Sequence, residues 1–170
     1  MKERILLCGG GGHAKTLIDL IRSLPAYELV GIADDALDLG QEVLGVPVLG
    51  STRDLAQLRA SGIRCAVNAV GGIGAPEVRW RVFERIIDAG FSQPALVHPS
   101  AIVEPTVVLA DGVQILANSY VSSASSVGFG SLLNAGVILS HDNHVGRCVN
   151  LSPGATCGGD VAIGDFTQIG

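Results

Sequence analysis

A six-residue period in the second half of the chain constrains the fold more than any other feature. From residue 103 to residue 169, an apolar residue recurs at every sixth position. The positions are Val103, Leu109, Ile115, Val121, Val127, Leu133, Leu139, Val145, Leu151, Cys157, Ile163 and Ile169. Twelve consecutive matches are typical of hexapeptide repeats, in which each repeat forms one short strand and one corner. Three such sides make a coil of eighteen residues, and the coils stack about 4.8 Å apart as parallel strands.

The residue two places before each of these apolar residues supports the same interpretation. It is small or β-branched at eleven of the twelve positions, which suits the tight corner of a coil, and Asn143 is the outlier. The sequence ends at Ile169–Gly170 in the middle of a repeat. An uncovered last coil exposes apolar surface and unpaired backbone. We therefore expect the natural protein to continue, or another chain to cover this end.

Residues 1–98 follow a different pattern, in which short apolar strands alternate with helices. The strands are predicted at Ile5–Cys8, Leu29–Ala33, Val46–Gly50 and Arg64–Val70, and the helices at Lys15–Ile21, Arg53–Ala60 and Glu77–Ala89. Such alternation indicates a parallel sheet with right-handed crossovers. The sequence thus predicts a Rossmann-like α/β domain at 1–98 and an all-β domain at 99–170.

A glycine-rich segment follows the first strand and opens the first helix. Gly9-x-Gly11-x-x-Ala14 fits a dinucleotide-type loop, and Asp34 lies 20 residues beyond Ala14 at the end of the second strand. Bare backbone and a helix N-terminus can approach a pyrophosphate, and a carboxylate there can reach a ribose hydroxyl. A phosphate loop of the G-x-x-x-x-G-K-[ST] type fails because Ala14 stands where its glycine should be. A tight turn without a ligand remains the alternative, and the role of Lys15 stays open.

Composition excludes several classes of partner. The net charge is −5 and the pI is about 5.2, which argues against binding to nucleic acid or to an anionic membrane. No apolar run is long enough to span a bilayer, and no signal peptide is recognisable. The four cysteines lack a C-x-x-C spacing, which indicates free thiols rather than disulfides or a metal site. We therefore expect a cytoplasmic protein with no resident metal.

The whole chain resembles the bacterial sugar acetyltransferases that include sialic-acid O-acetyltransferases and the N-acetyltransferases of nucleotide-linked 4-amino sugars. The resemblance is carried by four segments of this sequence: Gly9–Lys15, Asp34–Asp35, Ala69–Gly71 and His98–Ala101. It continues through Asn134 and the pair His141-Asp142. It implies a homotrimer of left-handed β-helices with acetyl-CoA between neighbouring helices. The expected reaction is acetylation of the amino group of a nucleotide-linked 4-amino sugar, with sugar O-acetylation as the alternative.

The resemblance also implies roles for individual residues. His141 matches the general base and Asp142 the acidic residue that orients it. The nucleotide sugar is expected at Gly10, Gly12, His13, Asp34, Asp35 and Gly71, with Asn134 near the acceptor. Asn150, Gly158 and Gly159 are assigned to the cofactor. Asn150 stands where the family often has a second histidine, and the family's closing coil, which completes the CoA site, is absent here.

From the residues alone, His141 next to Asp142 could also be a surface histidine beside a carboxylate. Two other classes of protein remain open. A zinc carbonic anhydrase of the β-helix type would use His141 and His144, although the repeats offer no third histidine. A nicotinamide oxidoreductase would explain the glycine loop but would leave the β-helix without a purpose.

Overall fold

The computed structural model describes residues 2–72 and 76–170. The chain forms two compact units: the first combines Met1–Gly71 with Glu77–Pro94, and the second combines Gly72–Pro76 with Ala95–Gly170. The second unit begins before residue 99 because a short strand at Leu96–Val97 already pairs with its sheet.

The first unit is a sheet with three helices. In chain order the elements are β1 Glu3–Cys8, α1 Gly12–Arg22, β2 Tyr27–Ala33, β3 Glu42–Val43, β4 Val46–Gly50, a 3-10 turn Thr52–Asp54, α2 Leu55–Ala60, β5 Cys65–Asn68 and α3 Pro76–Asp88. The strand order is β3-β4-β2-β1-β5. Neighbouring strands pair in parallel, except that the edge strand β3 is antiparallel to β4. The predicted parallel sheet is confirmed, and β3 is an addition that the sequence analysis did not foresee.

Strand β1 is an interior strand of this sheet, between β2 and β5. Its last four residues, Ile5–Cys8, are fully buried, as a continuous apolar run between two neighbouring strands requires. Helix α1 buries one face, which carries Ala14, Leu17, Ile18, Leu20 and Ile21. The sheet and helix together hold the loop between β1 and α1 in a fixed position.

The second unit is a three-sided parallel β-helix built from thirteen two-residue strands. They are β6 Leu96–Val97, β7 Ile102–Val103, β8 Val108–Leu109, β9 Gln114–Ile115, β10 Tyr120–Val121, β11 Ser126–Val127, β12 Leu132–Leu133, β13 Ile138–Leu139, β14 His144–Val145, β15 Asn150–Leu151, β16 Thr156–Cys157, β17 Ala162–Ile163 and β18 Gln168–Ile169. Each strand from β6 to β15 pairs in parallel with the strand three places further along, which lies 18 residues away. The coil of three six-residue sides is therefore confirmed.

The interior of the β-helix is filled by the residues that the six-residue period selected. Nine of the twelve, from Ile115 to Ile163, are buried in one apolar cluster, and Val103, Leu109 and Ile169 pack against it at the ends. Four corner residues with polar side chains are also buried, and each donates to a carbonyl 15 residues further along: Ser119, Ser125, Ser131 and Asn143. The outlier Asn143 thus makes the same bond as the serines of the other corners.

All four cysteines are free thiols, and Cys8, Cys65 and Cys157 are buried. Within residues 2–72 and 76–170, no helix is both long enough and apolar enough to cross a membrane.

Candidate functional site

The glycine loop of the first unit lies at the carboxyl end of the interior strand β1. Strand β1 ends at Cys8 and α1 begins at Gly12, so residues 9–11 cross the edge of the sheet. The chain runs from β1 to β2 and β4 on one side and returns to β5 on the other. The loop therefore lies at a topological switch point, where open α/β sheets bind their ligands.

The four glycines of this loop differ in how much room there is for a side chain. Gly9 has φ +114°, and a Cβ there would lie 3.2 Å from the carbonyl carbon of Ala69, so the backbone itself requires glycine. A Cβ on Gly10 would lie 2.4 Å from Leu37 Cδ1. At Gly11 and Gly12 a Cβ would meet nothing within 4 Å, and neither residue has a left-handed φ. Packing within the described chain does not explain why these two residues lack side chains.

Asp34, at the end of β2, is bonded to the glycine loop. Its Oδ2 accepts from the Gly10 N–H at 2.7 Å, and its Oδ1 accepts from the N–H groups of Ala36 and Leu37 at 2.8 and 3.1 Å. The sequence predicted this carboxylate as a ligand for ribose. The structure shows that it also fixes the loop in place.

Asp35 is held by the element that follows β4. It accepts from Thr52 N at 2.8 Å and forms an ion pair with Arg85 Nη1 at 2.8 Å. Partial desolvation acts to raise the pKa of Asp35, but the Thr52 hydrogen bonds and the Arg85 guanidinium outweigh it and lower the pKa below its ordinary value. Asp35 is therefore ionised and anchored at neutral pH.

His13 and Gly71 are brought together, since a Cβ on Gly71 would lie 3.7 Å from His13 Cβ. Two residues that the sequence analysis missed shape the segment before Gly71. Asn68 accepts from Val70 N at 3.0 Å and donates to the Arg79 carbonyl at 2.7 Å, and the buried Arg79 guanidinium donates to the Val70 carbonyl. In the sequence, the signal that could have predicted this turn is an asparagine, Asn68, at the end of an apolar strand.

A cleft of about 480 Å³ opens beside Asp34 and Asp35. Its walls combine leucine side chains with acidic and hydroxyl groups, and they include Leu37, Leu39, Leu49, Leu58, Ser51 and Asp54. Apolar walls with a few convergent polar groups are typical of small-molecule sites.

In the second unit, His141 and Asp142 form a close pair at the corner that follows β13. His141 Nδ1 lies 2.7 Å from Asp142 Oδ2, and the two side chains are 63% and 56% exposed. Asp142 has φ +59°, as do Ala124 below it and, at +58°, Asp160 above it. This left-handed conformation therefore belongs to the corner of the coil and is repeated from coil to coil.

The geometry of this pair is chemically able to move a proton. When Nδ1–H donates to the carboxylate, Nε2 is left as a proton acceptor, and the carboxylate stabilises the imidazolium that forms. Gly159 of the next coil packs against the ring, since a Cβ on it would lie 2.7 Å from His141 Nε2. At Gly158 a Cβ would meet nothing within 4 Å.

Asn134, at the corner that follows β12, meets Asn150 on the neighbouring strand β15. Asn134 Nδ2 donates to Asn150 Oδ1 at 3.0 Å and to the Leu151 carbonyl at 2.7 Å. Asn150 is only 3% exposed, and its Nδ2 has no hydrogen-bond partner among the described residues. Asn134 follows β12 and His141 follows β13, so one six-residue side of the coil, about 20 Å of extended chain, separates the two corners.

His144, the second histidine that a zinc carbonic anhydrase would use, has a hydrogen-bond partner. His144 Nδ1 lies 3.0 Å from Ser126 Oγ, on the outward face of β14. Within residues 2–72 and 76–170, no three His, Cys, Asp or Glu side chains are grouped so that they could hold a metal ion.

Comparisons with known proteins match both units. Residues 4–86 match the family described as PglD N-terminal domain. The acetyltransferase domain of PglB from Neisseria gonorrhoeae FA1090, solved with acetyl coenzyme A, has a TM-score of 0.90 and 29% identity, covering 99% of this chain and 80% of that one. A mutant perosamine N-acetyltransferase from Caulobacter crescentus, solved with CoA and GDP-perosamine, has a TM-score of 0.71 and 29% identity, covering 96% and 84%.

A curated relative with a named activity is also similar to this chain. The GDP-perosamine N-acetyltransferase of Escherichia coli O157:H7 is 30% identical over 146 residues, which are 85% of this chain and 62% of that protein. The chain is thus similar, over both units, to acetyltransferases, two of which are named for perosamine.

The similarity to the PglB acetyltransferase domain confirms the predicted fold, an α/β domain followed by a left-handed β-helix. This chain spans less than two thirds of the length of its curated relative. The roles of single residues toward acetyl-CoA or a sugar stay predictions.

Proposed function

We propose that this chain acts as an acetyl-CoA-dependent N-acetyltransferase on a nucleotide-linked amino sugar. The observation that carries the proposal is the exposed His141–Asp142 pair, joined at 2.7 Å on a β-helix corner, in a chain with a TM-score of 0.90 to an acetyl-CoA-bound acetyltransferase domain. Two relatives named as perosamine N-acetyltransferases favour an amine as the acceptor and GDP as the nucleotide.

In the proposed reaction the sugar amine attacks the thioester carbonyl carbon of acetyl-CoA. His141 Nε2 takes a proton from the amine as the new C–N bond forms, and Asp142 holds the ring through Nδ1. Collapse of the tetrahedral intermediate breaks the C–S bond, and the proton on Nε2 passes to the departing CoA thiolate. The products are the acetamido sugar and CoA, and the histidine returns to its starting state.

The first unit is proposed to hold the nucleotide. The uncapped N-terminus of α1 and the open backbone at Gly12 offer N–H groups to a pyrophosphate. The cleft beside Asp34 and Asp35 has leucine walls for a nucleobase and carboxylates that can accept from ribose hydroxyls. His13 and Gly71 lie together and complete the proposed set with Gly10.

The second unit is proposed to bind acetyl-CoA as part of a homotrimer. Ile102, Val108 and Ile138 are 61%, 67% and 43% exposed on the outward faces of β7, β8 and β13. Contact between copies of the chain would bury these side chains. Because one side of the coil separates the corner of Asn134 from that of His141, a neighbouring copy can bring the asparagine corner to the histidine. The cofactor roles of Asn150 and Gly158 are part of the same proposal.

The experiment is an acceptor screen with acetyl-CoA and UDP-, GDP- and CMP-linked sugars, each with an amino or a hydroxyl group at the acetylated position. Release of the CoA thiol and the mass of the product report transfer. The proposal expects turnover of a nucleotide-linked amino sugar, with GDP-perosamine as the first probe. Transfer only to hydroxyl acceptors would contradict the N-acetyltransferase assignment. Absence of turnover with every acceptor would overturn the function itself.

A further inference from the structure

Gly159 lies against the reactive edge of His141. The two residues are 18 positions apart and therefore stack in successive coils, where Asp160 N donates to the His141 carbonyl at 3.0 Å. A Cβ on Gly159 would lie 2.6 Å from Cε1, 2.7 Å from Nε2 and 3.1 Å from Nδ1 of the ring. The φ angle of Gly159 is outside the left-handed region, so its backbone does not require glycine. Glycine is required here because the His141 imidazole occupies the space of a side chain.

A buried amide fixes the spacing between the two corners. Asn143 is fully buried, and its Nδ2 donates to the Ser140 carbonyl at 2.7 Å and to the Gly158 carbonyl at 2.9 Å. Its Oδ1 accepts from Val161 N at 3.1 Å. One side chain therefore bonds the corner that carries His141 to the corner that carries Gly159. Because the corners cannot move apart freely, an added side chain at 159 has to displace the ring.

We propose that Gly159 is a positioning residue. Because it has no side chain, the His141 ring can pack against its Cα in an orientation that leaves Nε2 accessible to the acceptor amine. Asp142 holds the ring at Nδ1, and Gly159 limits its movement on the side of Cε1 and Nε2. This inference rests on the proposed function and deepens it. It differs from a cofactor contact at Gly159, because it assigns the effect of substitution to the histidine.

The test is Gly159→Ala, measured with GDP-perosamine and acetyl-CoA. A carbon contact of about 3.5 Å or more requires the ring to move by about 1 Å, and a displacement of this size can cost about 10²-fold in rate. We expect kcat to fall about 10²-fold while both KM values change less than about threefold. The matched control is Gly164→Ala, where the nearest atom to a Cβ is Thr167 Oγ1 at 3.8 Å and the φ is also ordinary. Its kcat should stay within about twofold of the wild-type value.

Two further measurements distinguish positioning of the His141 ring by Gly159 from a general structural role. In a His141→Asn background, Gly159→Ala should reduce kcat by less than about threefold, because residues that act as a unit are not additive. In ¹⁵N spectra of the neutral ring, His141 should lose its single tautomer with protonated Nδ1 in Gly159→Ala and keep it in Gly164→Ala. If Gly159→Ala folds poorly, His141→Ala in the same chain should restore folding, because the clashing ring is gone.

Several outcomes would contradict the proposal that Gly159 positions the His141 ring. They are a raised KM for acetyl-CoA with unchanged kcat, multiplicative effects with His141→Asn, an unchanged tautomer, or a folding defect that His141→Ala does not relieve. If the wild-type protein transfers no acetyl group, the proposed function fails on its own. The tautomer comparison then still decides whether Gly159 positions the ring.

Discussion

Replacing Asn143 should destabilise the β-helix strongly, although the repeat would accept another residue type there. The same position of other six-residue repeats carries Val113, Val137 and Val149, all buried. By pattern alone, Asn143→Val would return the position to the commonest type and stabilise the chain. The hydrogen bonds of Asn143 predict the opposite result.

The magnitude follows from the bonds that the substitution removes. Asn143 makes three hydrogen bonds through its amide, to the carbonyls of Ser140 and Gly158 and from the N–H of Val161. At about 1 kcal/mol of net stabilisation for each bond, the loss is about 3 kcal/mol. That is a large share of the roughly 5–15 kcal/mol by which a typical domain is stable.

Urea unfolding followed by circular dichroism measures the loss, and amide hydrogen exchange at Val161 locates it. We expect Asn143→Val to lower the unfolding free energy by about 3 kcal/mol and to speed exchange at Val161. Thr156→Ala, an exposed change in the same unit, should stay within about 0.5 kcal/mol. A neutral or stabilising Asn143→Val would refute the reasoning, since the amide would then contribute no more than an apolar side chain of similar size.

Two further predictions concern the first unit. The pKa of Asp35 is lowered on folding, so its contribution to stability is present above about pH 4 and is lost as the pH falls through the folded value. Asp35→Asn should therefore destabilise the chain by less than about 1 kcal/mol at pH 7 and not at pH 2, measured by urea unfolding at both values; equal losses would contradict the ion pair. Gly12→Ala adds a Cβ that meets nothing within 4 Å, so it should leave stability unchanged or raise it by up to about 1 kcal/mol. Its nucleotide-sugar KM should rise, and an unchanged KM would remove Gly12 from the site.

The sequence predicted the architecture because the fold is periodic. An apolar residue at every sixth position determines which side chains face the interior, and the structure confirms this from Ile115 to Ile163. The apolar run Ile5–Cys8 likewise identified an interior strand of the first unit. Both patterns depend on local spacing, which a single sequence displays directly.

Features that depend on a particular side-chain direction were not predictable in this way. The β3–β4 hairpin turns through Leu44 at φ +49° and Gly45 at φ +76°, and leucine is not a residue that signals such a turn. The bond from Gly10 N–H to Asp34 joins two loops that are 24 residues apart. The period places residue 159 above residue 141, but it does not show that the ring lies against the Gly159 Cα.

The most direct test of the account is the turnover of His141→Asn with both substrates saturating. General-base catalysis contributes about 10²–10⁴-fold, so kcat should fall within that range while the far-UV spectrum and both KM values are kept. His144→Asn makes the same change three residues further along, at a side chain bonded to Ser126, and should keep kcat within about twofold. Near-normal kcat in His141→Asn would contradict the account, because the proton would then leave the amine without this histidine.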